Sequence, residues 1–73
     1  MSLKRRMISQ VKVGKIVDGE PDGMVLIYAM GDQMTLVVTS RTNGDAELFL
    51  NRDEAARVAS AIQNACDQLP HGS

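Results

Sequence analysis

The stretch from residue 51 to residue 69 carries the strongest pattern in the sequence, and it constrains what the rest of the chain can form. Its apolar residues recur every three or four positions and line one side of a helix, with Arg57, Ser60 and Asn64 opposite. These residues, here named the apolar stripe, are Ala55, Val58, Ala59, Ile62, Ala65, Cys66 and Leu69. Most of them are Ala or Cys, which add little volume. The surface that covers the helix must therefore supply the bulky side chains.

Both ends of this helix are marked by specific residues. The side chain of Asn51 can accept a hydrogen bond from the first-turn backbone, and Glu54 can reach back to complete a capping box. Pro70 cannot continue the hydrogen-bond ladder, so residues 70–73 are predicted to form a flexible tail. Cys66 lies on the apolar stripe, which predicts a small buried hydrophobe rather than a reactive thiol.

Three segments before the helix have the patterns of β-strands. Residues 7–17 largely alternate apolar and polar side chains, which indicates a half-buried strand. Residues 24–30, MVLIYAM, are apolar on both faces, as is typical of a central strand. Gly31 and Asp32 suit a tight hairpin turn that leads into a third strand over residues 34–41.

Two other segments are predicted to lie outside the sheet. Residues 1–6 show no periodicity and are expected to form a disordered basic N-terminus. The segment DGEPDG at residues 18–23 collects turn-forming residues and matches the start of a calcium-binding loop. Such a loop needs an acid at its twelfth position, which is Ala29 here. The metal interpretation is therefore rejected in favour of a plain turn.

The loop before the fourth strand allows two registers. A two-residue turn at Asn43 and Gly44 would mix polar and apolar residues on each face of the sheet. A three-residue loop over residues 42–44, with Gly44 in the left-handed region, separates them because it pairs Val38 with Leu48. A slip of one residue inverts every side chain, so the three-residue loop is the preferred prediction.

These elements predict an α+β domain over residues 7–69, a four-stranded antiparallel β-meander followed by one C-terminal α-helix packed on one face of the sheet (ββββα). The face beneath the helix, here named the helix-side face, carries Val25, Ile27, Ala29, Met34, Leu36, Val38, Leu48 and Leu50. The opposite face, here named the far face, carries Leu26, Tyr28, Met30, Val37 and Phe49. One helix cannot cover both faces. The far-face patch therefore predicts an interface, most simply that of a homodimer.

The charges are unevenly distributed, although the net charge is only −1. Every charged residue through Val17 is basic, whereas the nine acids all follow. Such asymmetry can mark a surface that contacts an anion, while the simpler explanation is a solvated basic end. The candidate nucleic-acid contacts are Lys4, Arg5, Arg6, Lys12 and Lys15.

The sequence has no recognisable set of catalytic, cofactor-binding or metal-ligating residues. His71, the one histidine, follows the helix-ending proline in the predicted tail and is a poor candidate for a positioned base. No glycine-rich phosphate loop joins a strand to a helix, and no His and Cys set has metal spacing. No apolar run approaches the roughly 20 residues of a membrane span. A non-enzymatic cytoplasmic protein without cofactors, and without a membrane partner, is expected.

The order of four antiparallel strands and a helix opened by LNRDEA resembles the dimeric transcriptional-coactivator domains that bind single-stranded DNA. The likeness covers residues 11–69 and rests on the order of the elements. It implies a nucleic-acid binder that uses its basic first strand. The acidic remainder and the presence of only two aromatic residues argue against it, because base stacking supplies about 1–3 kcal/mol per base.

Two function classes remain. The first is a small non-catalytic homodimeric module for protein interaction or regulation, which acts through its sheet surface. The second is a binder of single-stranded nucleic acid. Small inhibitors encoded by phages or mobile elements share these features with a host regulator, so the sequence leaves that choice open.

Overall fold

A computed structural model of the chain describes residues 4–71, and the predictions for residues 1–3 and 72–73 lie outside that range. The described part forms a four-stranded antiparallel sheet, with the strands in sequence order, followed by one helix. The helix contacts the third and fourth strands, so the predicted ββββα fold is confirmed. The elements are β1 Arg6–Val17, β2 Glu20–Met30, β3 Gln33–Ser40, β4 Gly44–Leu50 and α1 Arg52–Gln68.

The hairpin between β2 and β3 follows the prediction. Residues 31–32 form its two-residue turn, and Gly31 has a φ of 64°, which glycine adopts without a steric penalty. Met30 lies opposite Gln33, as expected for this turn length. The residues of both strands consequently lie on the faces that the sequence assigned to them.

The loop before β4 has the predicted length but a different position. It comprises residues 41–43, and Gly44 has a φ of 79°, in the left-handed region. Leu48 lies opposite Leu36 instead of Val38, so the predicted register is wrong by two residues. Side chains alternate with a period of two, and a slip of two leaves each of them on its predicted face. Polar and apolar residues are therefore separated as expected.

The prediction of a turn over residues 18–23 is wrong for most of that segment. Only its first two residues form the turn, and β2 already begins at Glu20. Pro21 is tolerated there because the pairing of β3 with β2 stops at Gly23. This end of β2 pairs with β1 alone, so the missing N–H of proline leaves no gap in a central ladder.

The side chain of Asp22 helps to hold this end of the sheet together. Its carboxylate accepts a hydrogen bond from the backbone N–H of Lys15 at 2.9 Å, where β1 is irregular, and lies 3.5 Å from the Arg41 guanidinium. Arg41 also donates to the carbonyl of Glu20 at 2.6 Å. A Cβ on Gly14 would overlap the Asp22 carboxylate. One acidic side chain thus joins β1, β2 and the loop before β4.

The capping box at the start of α1 is formed as predicted. The side-chain oxygen of Asn51 accepts the backbone N–H of Glu54 at 2.8 Å, and the Glu54 carboxylate accepts the N–H of Asn51 at 2.9 Å. Leu50, the residue before the cap, is only 6% exposed. The helix therefore begins directly at the end of β4, with no loop between them.

The helix contacts the sheet only near its beginning. Ala55 and Val58 are half-buried, while every residue of α1 after Val58 is exposed. The sequence led us to expect that the helix would lie back over the helix-side face and bury Cys66. The start of the helix does contact the sheet, but the expectation is wrong for the rest of it. The Cys66 thiol is exposed, and no residue of the helix is fully buried.

The hydrophobic core is consequently small. Among the described residues, Leu50 is the one buried hydrophobic side chain. The accessible surface is 6058 Å², whereas a compact protein of 7.9 kDa exposes about 4,400 Å². The radius of gyration is 14.4 Å, against about 11 Å for a compact chain of this length. The chain thus exposes roughly 1,600 Å² more than a compact monomer.

Replacing Asn51 with Ala is expected to lower the free energy of unfolding by about 1 kcal/mol, because the N–H of Glu54 loses its acceptor. Asn64→Ala is the matched control, since Asn64 lies on the exposed part of the helix, accepts only a long 3.4 Å hydrogen bond from the Gln68 side chain, and gives way to Ala, which has the higher helix propensity. The control is expected to be neutral or stabilising. Urea denaturation followed by circular dichroism measures both. Equal midpoints for Asn51→Ala and the parent chain would place the helix start elsewhere.

Candidate interaction surface

The helix-side face of the sheet is open over much of its area. It carries an apolar hollow of about 270 Å³, to which no residue of α1 contributes. The exposed fraction is 44% for Val38 and 53% for Leu48. The face that should form the core of the domain is therefore partly in water. The hollow is lined by Leu36, Val38, Ala46, Glu47 and Leu48.

The apolar stripe of the helix is open as well. Ile62 is 59% exposed, Leu69 is 64% exposed, and Cys66 between them is also exposed. Helices in proteins gain most of their stability from packing of the apolar side, which this helix lacks beyond Val58. The chain thus presents two apolar surfaces, one lined by small residues on the helix and one by bulky residues on the sheet.

The far face is better covered than the sequence predicted. Thr35, which lies between Tyr28 and Phe49 across the strands, is only 1% exposed. Phe49 itself is 53% exposed, so part of the patch remains open. The other four residues that the sequence assigned to an interface are half-buried, and they are Leu26, Tyr28, Met30 and Val37.

The side chain of Arg5 crosses the far face. Its guanidinium carbon lies 3.9 Å from the centroid of the Tyr28 ring, and one guanidinium nitrogen lies 3.2 Å from a carboxylate oxygen of Glu47. Arg5 precedes β1 and Glu47 lies on β4, so the contact joins the two edges of the sheet. The two side chains are 43% and 44% exposed, and such an ion pair contributes at most about 1 kcal/mol.

The five basic residues that the sequence assigned to nucleic acid do not form one surface. Residues 4–6 line a hollow of about 460 Å³ at one end of the sheet. Lys12 lies opposite Met24 along β1, and Lys15 lies farther along that strand, beside Asp22. The structure therefore brings the first three together and separates both lysines of β1 from them.

Within residues 4–71, no three His, Cys, Asp or Glu side chains lie close enough together to bind a metal ion. His71 is exposed after the helix, and Glu54 is engaged in the capping box. Across the same range, the helix falls short of the length and apolar character required to cross a membrane.

Sequence reasoning missed the contact of Arg5 with Glu47 and the role of Asp22. It placed Arg5 in a segment without periodicity and Asp22 in a turn. The available signal was the run of opposite charges at the two edges of the sheet, but a charge pattern alone does not tell which residues meet. Arg5 and Glu47 are 42 residues apart, and Asp22 meets Lys15 and Arg41 only because β1 and the loop before β4 both lie beside its end of β2.

Comparison with protein-family models, with curated proteins and with solved structures finds no match to this chain. The resemblance in element order to the single-stranded DNA-binding coactivator domains gains no support from these comparisons. The features of this chain that bear on function are the two apolar surfaces and the contacts of the far face.

A double-mutant cycle with Arg5→Gln and Glu47→Gln is expected to give a coupling energy of about 0.2–1 kcal/mol that falls at high salt, because both groups are exposed. The cycle is measured by urea denaturation of the four chains. Arg6→Gln in place of Arg5→Gln is the control, since Arg6 pairs with Ala29 on the opposite face. A coupling of zero for Arg5 and Glu47 would mean that the contact does not form in solution.

Proposed function

We propose that the chain is a small non-catalytic module that works as a homodimer and presents its sheet surface to another protein. One observation supports the proposal above all, which is that Leu50 is the single buried hydrophobic residue of the described chain. Burial of apolar surface is the main force that stabilises a fold, at about 25 cal/mol per Å². A chain that leaves two apolar surfaces in water gains little free energy from burial to offset the conformational entropy that it loses on folding.

The total exposed surface of the chain is large enough to include a dimer interface. The chain exposes roughly 1,600 Å² more than a compact protein of its mass. Stable interfaces bury about 800 Å² per partner, and obligate homodimers bury about 1,000–2,500 Å² per partner and are more apolar. The excess lies in the range of obligate homodimers. A two-fold dimer covers the same surfaces on both copies at once.

The far face is the surface that we propose for a second protein. Tyr28, Phe49 and Arg5 lie on it, and aromatic residues and arginine are the types most enriched among residues that dominate binding energy. Glu47 on the same face provides a negative charge beside them. Mixed charges around a partly open aromatic centre are typical of a protein interface.

The cytoplasmic location and the regulatory role stay predictions from the sequence.

Binding of single-stranded nucleic acid is the second candidate, and one observation favours it. The Arg5 guanidinium lies over the Tyr28 ring, and residues 4–6 line a basic hollow nearby. However, Arg5 is already paired with Glu47, and Asp45 lies on the same face. These carboxylates would repel the phosphates of a nucleic-acid backbone. We therefore rank this function below protein interaction.

Sedimentation equilibrium of the parent chain, at tens of micromolar, tests the proposal. The expected particle has twice the 7.9 kDa mass of one chain at low and at high salt, because screening does not weaken an apolar interface. A labelled single-stranded oligonucleotide is added in a parallel run. Its co-sedimentation at about 50 mM salt and release at higher salt would favour the second candidate. A monomer under all conditions would contradict the homodimer.

A further inference from the structure

The helix extends well beyond the sheet that it contacts. At 1.5 Å per residue, its 17 residues span about 25 Å. The half-buried positions end at Val58, so residues 59–68, roughly 15 Å of helix, have their apolar stripe in water. The chain measures 48 Å in its longest dimension and 19 Å in its shortest, which agrees with a helix that does not fold back over the sheet.

The hollow on the helix-side face is lined by bulky apolar side chains, which are scarce on this part of the helix. Its bulky lining residues, Leu36, Val38 and Leu48, are partly or largely exposed and lie away from α1. The stripe beyond Val58 carries mainly small side chains, which allow a helix axis to approach a surface closely. The two surfaces are therefore complementary in size and both apolar. Within one chain they do not meet.

We infer that the second half of each helix packs into the hollow on the helix-side face of a second copy of this chain. The inference rests on the proposed homodimer and specifies its interface. A two-fold axis makes the exchange reciprocal, so that two helices and two sheet faces are covered together. The exposed excess of roughly 1,600 Å² per chain is large enough for such an interface.

The far face is the weaker choice for the dimer contact. Arg5 already lies across it, with its guanidinium over Tyr28 and paired with Glu47. A second copy would have to displace or desolvate this charged group, which costs free energy. In the reciprocal dimer the far faces stay in water on the outside of both copies. They remain free for the other protein of the proposed function.

Adjacent valines on β3 give a matched pair of variants. Val38 lies on the helix-side face, whereas Val37 lies on the far face opposite Glu47. Val38→Lys is expected to raise the dissociation constant of the dimer by roughly a hundredfold or more, because an unpaired charge would be buried. Val37→Lys is expected to leave the dimer intact, because its side chain lies on the face away from the hollow and beside the Glu47 carboxylate. Sedimentation of both variants beside the parent chain measures the difference.

The helix supplies an independent pair of variants. Ile62, on the apolar stripe, is 59% exposed in the single chain, so a lysine there keeps its charge in water unless a second copy covers it. Ile62→Lys is expected to weaken the dimer as Val38→Lys does. Ser60→Lys, on the polar side of the same helix, is the control and should have no effect. A dimer that survives Ile62→Lys, or that Ser60→Lys weakens equally, would overturn the inference, because the apolar stripe would then not be the side of the helix in contact.

The single cysteine gives a test that needs no substitution. Cys66 lies on the stripe and is exposed in one chain, but it would be covered in the reciprocal dimer. Its reaction with a thiol reagent is expected to be at least about tenfold slower in the native dimer than in urea, because labelling then needs local opening. A native dimer whose thiol reacts at the rate of the unfolded chain would overturn the inference.

The outcomes separate the inference from the proposed function. A dimeric parent that Val37→Lys dissociates and Val38→Lys leaves intact would put the interface on the far face. That result would support the proposed homodimer and contradict the inferred contact of the helix with the hollow. A parent chain that is monomeric at tens of micromolar would overturn both.

Discussion

The junction between β4 and the helix is the constraint on which the rest of the structure depends. Leu50 lies in the sheet opposite Met34, and the next residue, Asn51, already caps the helix. The two reciprocal hydrogen bonds between Asn51 and Glu54 fix the direction of the first turn. The helix leaves this junction in a direction that keeps half-buried positions only as far as Val58. Beyond that residue, the apolar stripe and the helix-side face do not contact each other within one chain.

This separation explains the shape and the proposed behaviour of the chain together. An amphipathic helix and a two-sided sheet are stable only when their apolar surfaces are covered. Here both remain open in one copy, and they are complementary in size. In the proposed homodimer, a second copy covers both without any change in the fold of the first. The far face, partly covered by Arg5, then becomes the outer surface of the dimer, where the protein-binding role is proposed.

Short-range patterns in the sequence predicted the elements well, because each depends on near neighbours. The turn at Gly31 and the capping box of Asn51 and Glu54 are examples, and both are present. The register of β4 was wrong by two, since a period of two carries no information about such a slip. The placement of the helix and the contact of Arg5 with Glu47, 42 residues apart, depend on tertiary geometry that no sequence period encodes.

Folding and association of this chain are proposed to be coupled, and unfolding at different protein concentrations measures that coupling. Urea denaturation is followed by circular dichroism at two concentrations about a hundredfold apart. Coupled folding predicts a higher midpoint in the concentrated sample, by an amount equivalent to about 2.7 kcal/mol of added stability. Cooperative unfolding curves that superimpose at both concentrations would show that the single chain is stable alone and would contradict the account.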